Sequence, residues 1–175
     1  EPRSGDILEE NRLLRHELER LVRTAAANEK IWRHMVEIER VLFRTREFDR
    51  LASELLKEIR ARFDVDGVAL IITHPDVVDR FFPQLLNGGG CRSLLSDGGT
   101  CILALTGPPT RRELLEKVAE PVLFQDGEAL RALLAHVPSL SEGFCPIGSA
   151  ALVPLTIHDL SYGFLLLACS DPHHY

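Results

Sequence analysis

The sequence predicts an α+β fold: an antiparallel sheet with helices on one face, preceded by a long N-terminal helix whose first half is a coiled coil. Three observations carry this. Residues 6–45 contain neither glycine nor proline and repeat apolar side chains at helical spacing. Two apolar runs near the end, 149–157 and 162–169, flank a short polar turn. Between these regions, short apolar and amphipathic segments alternate with Gly-, Pro- and Asn-containing breaks. The 175 residues are 45% apolar and 26% charged, ordinary proportions for one folded domain with an appendage. No apolar stretch reaches the roughly 18 residues of a membrane span.

The first element runs from about Asp6 to Thr45. With Ile7 at position d, the heptad seam reads Ile7, Asn11, Leu14, Leu18, Leu21, Ala25, Asn28, Trp32, Met35, Glu39, Leu42. Up to Ala25 it is a narrow a/d stripe on a charged helix, the pattern of a parallel dimeric coiled coil. Asn11 at an a position favours two strands and pins the register. Asn11, Leu14, Leu18, Leu21 and Ala25 are therefore the expected dimerisation residues. After Asn28 the stripe widens through Ile31, Val36, Ile38 and Val41, as for a helix entering a globular domain. The competing reading is a helix lying wholly on its own domain, which would then have to cover Leu14, Leu18 and Leu21. The expected boundary puts the helix at 1–44 and the domain at 45–175.

A second helix follows over 47–63, with Phe48, Leu51, Leu55, Leu56, Ile59 and Phe63 at spacings of three and four. Val68–Ile72 reads as a strand buried on both faces. Pro75 opens a short helix. Asn87-Gly88-Gly89-Gly90 is a turn, and 91–95 with 101–105 form a hairpin around Asp97-Gly98-Gly99. Thr110 and Glu113 make a capping box for a helix to Ala119. Residues 121–124 read as a strand, 127–136 as a helix and 139–148 as a loop. Ser149–Ile157 and Tyr162–Cys169 close the sheet as an antiparallel pair.

The closing pair, Ala150-Ala151-Leu152-Val153-Pro154-Leu155 through Tyr162-Gly163-Phe164-Leu165-Leu166-Leu167, resembles that of the GAF fold. Together with Glu10-Asn11-Arg12, Ala27-Asn28-Glu29, Asp66-Gly67-Val68-Ala69-Leu70 and Asp171-Pro172, it makes the whole chain similar to the bacterial DUF484 family. The resemblance implies a GAF-like sheet with a loop-roofed pocket, and a further helix beyond this point. It brings no catalytic residues.

Charge and motifs exclude several classes. Net charge is −6. Residues 67–175 hold six basic and eleven acidic side chains, which disfavours nucleic acid and anionic membranes as partners. Cys91, Cys101, Cys145 and Cys169 form no CxxC pair and have no histidine at zinc-finger spacing, so reduced thiols in a cytoplasmic protein are expected. No signal peptide is visible at the start. There is no HExxH, no Walker loop, no GxGxxG and no GxSxG elbow. No metal, no cofactor and no enzymatic activity are expected.

The GAF resemblance implies a pocket between sheet and loops. Its candidate walls are Arg92, Phe124, Gln125, Phe144, Cys145 and Ile147, mostly apolar with a few polar groups. The NKFDE signature of cyclic-nucleotide-binding GAF domains is absent, which disfavours cyclic nucleotides. The alternative is a collapsed pocket, with these residues filling core. Three functions follow as expectations. One is a dimeric sensory or regulatory module, able to bind a small molecule. A second is a ligand-free interaction scaffold. The third is an enzyme like free-methionine sulfoxide reductase, which would need Cys91, Cys101 and Cys145 to converge.

Overall fold

A computed structural model describes residues 4–44, 46, 48–81, 91–96, 99–105, 118–135, 146–158 and 160–174. The helices are α1 (Ser4–Arg44), α2 (Phe48–Phe63), α3 (Pro75–Phe81) and α4 (Gly127–Leu134). The strands are β1 (Gly67–Ile72), β2 (Cys91–Ser96), β3 (Gly99–Leu105), β4 (Val122–Phe124), β5 (Ser149–Ile157) and β6 (Leu160–Cys169). The chain divides into two compact units, 1–40 and 41–175. No helix among the described residues is long and apolar enough to cross a membrane.

The strands form one sheet in the order β2-β3-β1-β6-β5-β4. β6 lies at its centre, paired antiparallel with both β1 and β5. The β2–β3 hairpin forms as its sequence predicts. The sheet is not wholly antiparallel, however, because β1 and β3 run parallel, Gly67 beside Thr100 and Ile72 beside Leu105. The connection from β1 to β3 is long enough for the crossover that a parallel pair needs. The more apolar strand of the hairpin, Gly99–Leu105, takes the interior place, and Arg92-bearing β2 takes the edge.

Both faces of the sheet are covered, which corrects the expectation of helices on one face alone. Alternation sends Ala69 and Ile71 of β1, Phe164 and Leu166 of β6, and Ala150 and Leu152 of β5 to the same side. There they cluster with Leu130, Leu133 and Leu134 of α4. Val68 and Ile72 point the other way and are also buried. α2 packs against β1 and β3, and its buried Ala52, Leu56 and Ile59 stand outside the first cluster, so α2 covers the second face. A strand apolar on both faces demands two covers, and β1 has them.

Local chemistry sets the joints. α2 ends with Asp64 in the left-handed region at φ 53°, and the Val65 N–H reaches back to the Arg60 carbonyl, a Schellman ending. Asp126 caps α4 by accepting a hydrogen bond from the Glu128 N–H at 2.8 Å. At the β5–β6 turn His158 takes a φ of 55°, as tight two-residue hairpin turns require. β4 pairs only with Ala150–Leu152, so Pro154 stands beyond the reach of that neighbour, where a strand proline is tolerated. The helix expected over 110–119 lies mostly outside the described residues, and Val118 to Glu120 are not helical. The Asn87–Gly90 turn also lies outside them.

Candidate functional site

The first unit is essentially one helix. α1 forms because its 41 residues hold one early glycine, no proline and many good helix formers. Ion pairs one turn apart support it: Glu17–Arg20 at 2.5 Å, Glu29–Arg33 at 2.5 Å and Glu37–Arg40 at 2.7 Å. All three are solvent-exposed, so water and salt screen them and each contributes little to stability. Arg15 Nε donates to Asn11 Oδ1 at 3.0 Å on the same helix.

The heptad seam carries its apolar residues uncovered. Ile7, Leu14, Leu18 and Leu21 are all exposed, Leu14 at 63%. Leu8, Leu13 and Val22 beside the row are exposed too. So are Ile31, Trp32 and Met35, with Trp32 at 67%. A depression on α1 touches Leu8, Asn11, Arg12, Arg15 and His16. All of its walls belong to one helix, so it is open to solvent rather than enclosed.

In the second unit the structure describes some of the expected pocket residues. Ile147 belongs to the buried cluster on the α4 side of the sheet, and Phe124 packs against that cluster. Gln125 is exposed. Arg92 lies on edge strand β2, opposite Leu103 of β3. Phe144 and Cys145 lie outside the described residues. Phe124 and Ile147 are thus brought together, but as parts of the core. A side chain at Gly127 would collide with the Ile147 carbonyl, which shows how closely α4 approaches the chain entering β5.

Two arrangements were not visible in the sequence. In the first, Asp66, just before β1, accepts hydrogen bonds from the Ser170 N–H at 2.7 Å and hydroxyl at 2.6 Å, and from the Cys169 thiol at 3.5 Å. The Ser170 hydroxyl is the main cause that holds the Asp66 carboxyl below its ordinary pKa, followed by the Ser170 N–H. Burial, foremost, pushes the Cys169 thiol up, so this cysteine stays protonated and is a poor nucleophile. Next to it, Ser149 donates to the Asp171 carbonyl at 2.5 Å, and the His173 N–H donates to Asp171 Oδ1 at 2.9 Å.

In the second, Tyr162 of β6 accepts at its carbonyl from the N–H groups of Thr73 and His74, and its ring stacks on the His74 imidazole with centroids 5.5 Å apart. Among the described residues, Thr73 Oγ1 and Ser161 Oγ are buried here without a hydrogen-bond partner, while His74 Nδ1 lies 4.0 Å from Asp76 Oδ2. Among the described residues, no group of three or more His, Cys, Asp or Glu is placed to hold a metal ion.

A family model described as DUF484, protein of unknown function, matches residues 7–175. The chain belongs to this family. A comparison with curated proteins found no match.

Proposed function

We propose that this member of the DUF484 family is a non-enzymatic, GAF-like sensory or regulatory module that works as a parallel homodimer joined through α1. The observation that carries the reading is the row Ile7, Leu14, Leu18 and Leu21, exposed along a charged helix at the 3.5-residue repeat of a coiled-coil seam. Most of the stability of a helix in a protein comes from burying an apolar face, and a contiguous exposed one marks an interaction surface. On this reading residues 1–44 are a long helix that dimerises through its first half, and 45–175 are the GAF-like domain. α1 passes residue 40, where the two units divide, without a break. A shift in the domain would then bias the helix pair, provided the trigger binds two helix arrangements with different affinity.

The buried hydroxyls of Thr73 and Ser161, without a hydrogen-bond partner among the described residues, support a form that takes a small molecule over a ligand-free scaffold, since such atoms call for a partner. The packed positions of Phe124 and Ile147 weigh against the pocket expected there. The enzymatic reading gains nothing: the strand register sets Cys101 opposite Leu94, not opposite Cys91.

The test is the mass of the full chain at micromolar concentration, by sedimentation and native mass spectrometry. A dimer that becomes a monomer in Leu14→Asp/Leu18→Asp supports the reading, and a parent monomer ends it. A defined small-molecule adduct that is lost in Thr73→Val/Ser161→Ala selects the sensory form over the scaffold. A clean dimer without adduct selects the scaffold.

A further inference from the structure

We infer that the second copy of this chain covers Trp32 and Met35 as well as the leucine row, so that one continuous two-helix seam runs from Ile7 to Met35. The inference rests on the dimer proposed above and assigns it an extent and a register.

Trp32 and Met35 fall at positions a and d of the heptads that hold Leu14, Leu18, Leu21 and Ala25. Both are exposed, at 67% and 51%. A tryptophan offers roughly 150–250 Å² for burial, and leaving it in water next to a methionine is the mark of a missing neighbour. At 1.5 Å per residue, the 28 steps from Ile7 to Met35 span about 42 Å of helix.

The occupant is a second copy because the seam matches itself. Two parallel helices in register set each a and d residue against its own counterpart, so one sequence covers its whole length. A different protein would have to bring its own apolar repeat of equal length and phase. The flanks agree in charge. Glu10 at g lies beside the partner's Arg15 at e, an opposite-charge pair that parallel, in-register packing creates. Arg15 is already held on the seam side by its bond to Asn11, which itself meets the partner's Asn11. On the outer surface the charges are satisfied within the helix, as Glu37–Arg40 shows, so the apolar row has a polar border.

Trp32 is the only tryptophan of the chain, so its fluorescence reports this position alone. The experiment compares iodide quenching of the full-length dimer with that of the Leu14→Asp/Leu18→Asp variant. It also measures the dimer dissociation constant of Trp32→Ala by sedimentation, with circular dichroism to show that the helix is kept. The expected result is a Trp32 shielded in the dimer and open to iodide in the monomer, with Trp32→Ala weakening the dimer by about 30-fold or more, as for a buried anchor. A dimer whose Trp32 is quenched as readily as in the monomer, with an unchanged constant for Trp32→Ala, overturns the extended seam and leaves the dimer standing. A parent chain that stays monomeric overturns both.

Discussion

The Asp66 carboxylate accepts both the N–H and the hydroxyl of Ser170, at 2.7 and 2.6 Å, across 104 residues of chain. This pair fastens the end of β6 to the start of β1, the two strands that pair at the middle of the sheet. The thiol of Cys169 joins it from the side.

Replacing Asp66 by Ala removes three hydrogen bonds and is expected to cost about 1–2 kcal/mol, discounted for the solvent that reaches the group. The pH dependence has a definite sign. The folded pKa of Asp66 lies below its unfolded value, which is about 3.9. Its contribution is therefore complete well above pH 3.9 and is lost as the pH falls through the lower, folded pKa. Urea titrations at pH 7 and pH 3 should show the gap between parent and Asp66→Ala narrowing at the lower pH. A constant gap would count against the charged carboxylate as the source.

Cys169 is expected to resist thiol reagents in the native protein at pH 8, because it is buried and its pKa is raised. Peptide mapping after timed alkylation reads this directly. Labelling should accelerate in Asp66→Ala, where the surrounding clamp is loosened, and a Cys169 that reacts as fast as a free thiol in the parent would refute the burial argument.

Gly163→Ala is expected to be severe. A methyl group there would run into the Ile71 carbonyl, where β6 crosses β1 with Gly163 opposite Ile72. Backbone cannot swing aside as a side chain can, so a loss of at least about 2–3 kcal/mol is expected, as for overpacked cores. A thermal melt within a degree or two of the parent would show that the sheet can open there.

Phe164→Ala and Asp126→Ala grade the α4 side of the sheet. Phe164 is wholly buried in the cluster with Leu130 and Leu152, and its truncation should cost about 3–5 kcal/mol. Loss of the Asp126 cap should cost about 1 kcal/mol. Chemical denaturation of both variants checks the order, and a reversed order would mean that α4 is held mainly by its cap.

Much of the architecture was legible in the residues because it follows from local patterns. The unbroken run to Thr45 becomes α1, the 3,4-spaced apolar set becomes α2, and the two apolar runs around His158 become β5 and β6. The candidate pocket was less legible. Phe124 and Ile147 have the right composition for a pocket wall, yet composition cannot separate a wall from a core, and the packing of α4 turns them into core. The Asp66–Ser170 clamp and the Tyr162 acceptor for Thr73 and His74 left no trace in spacing, since their partners lie about a hundred residues apart.

The sequence by itself determined the elements and the chemistry of α1. Periodicity and propensity act over a few residues, and the heptad register from Ile7 to Met35 needs no knowledge of the rest of the chain. Only the tertiary structure decided the neighbours. It set β3 rather than β2 beside β1 and ran that pair parallel, it placed α2 and α4 on opposite faces, and it brought Asp66 to Ser170. Those choices depend on which apolar faces can be buried at once. That is a property of the whole packed sheet, and no short segment carries it.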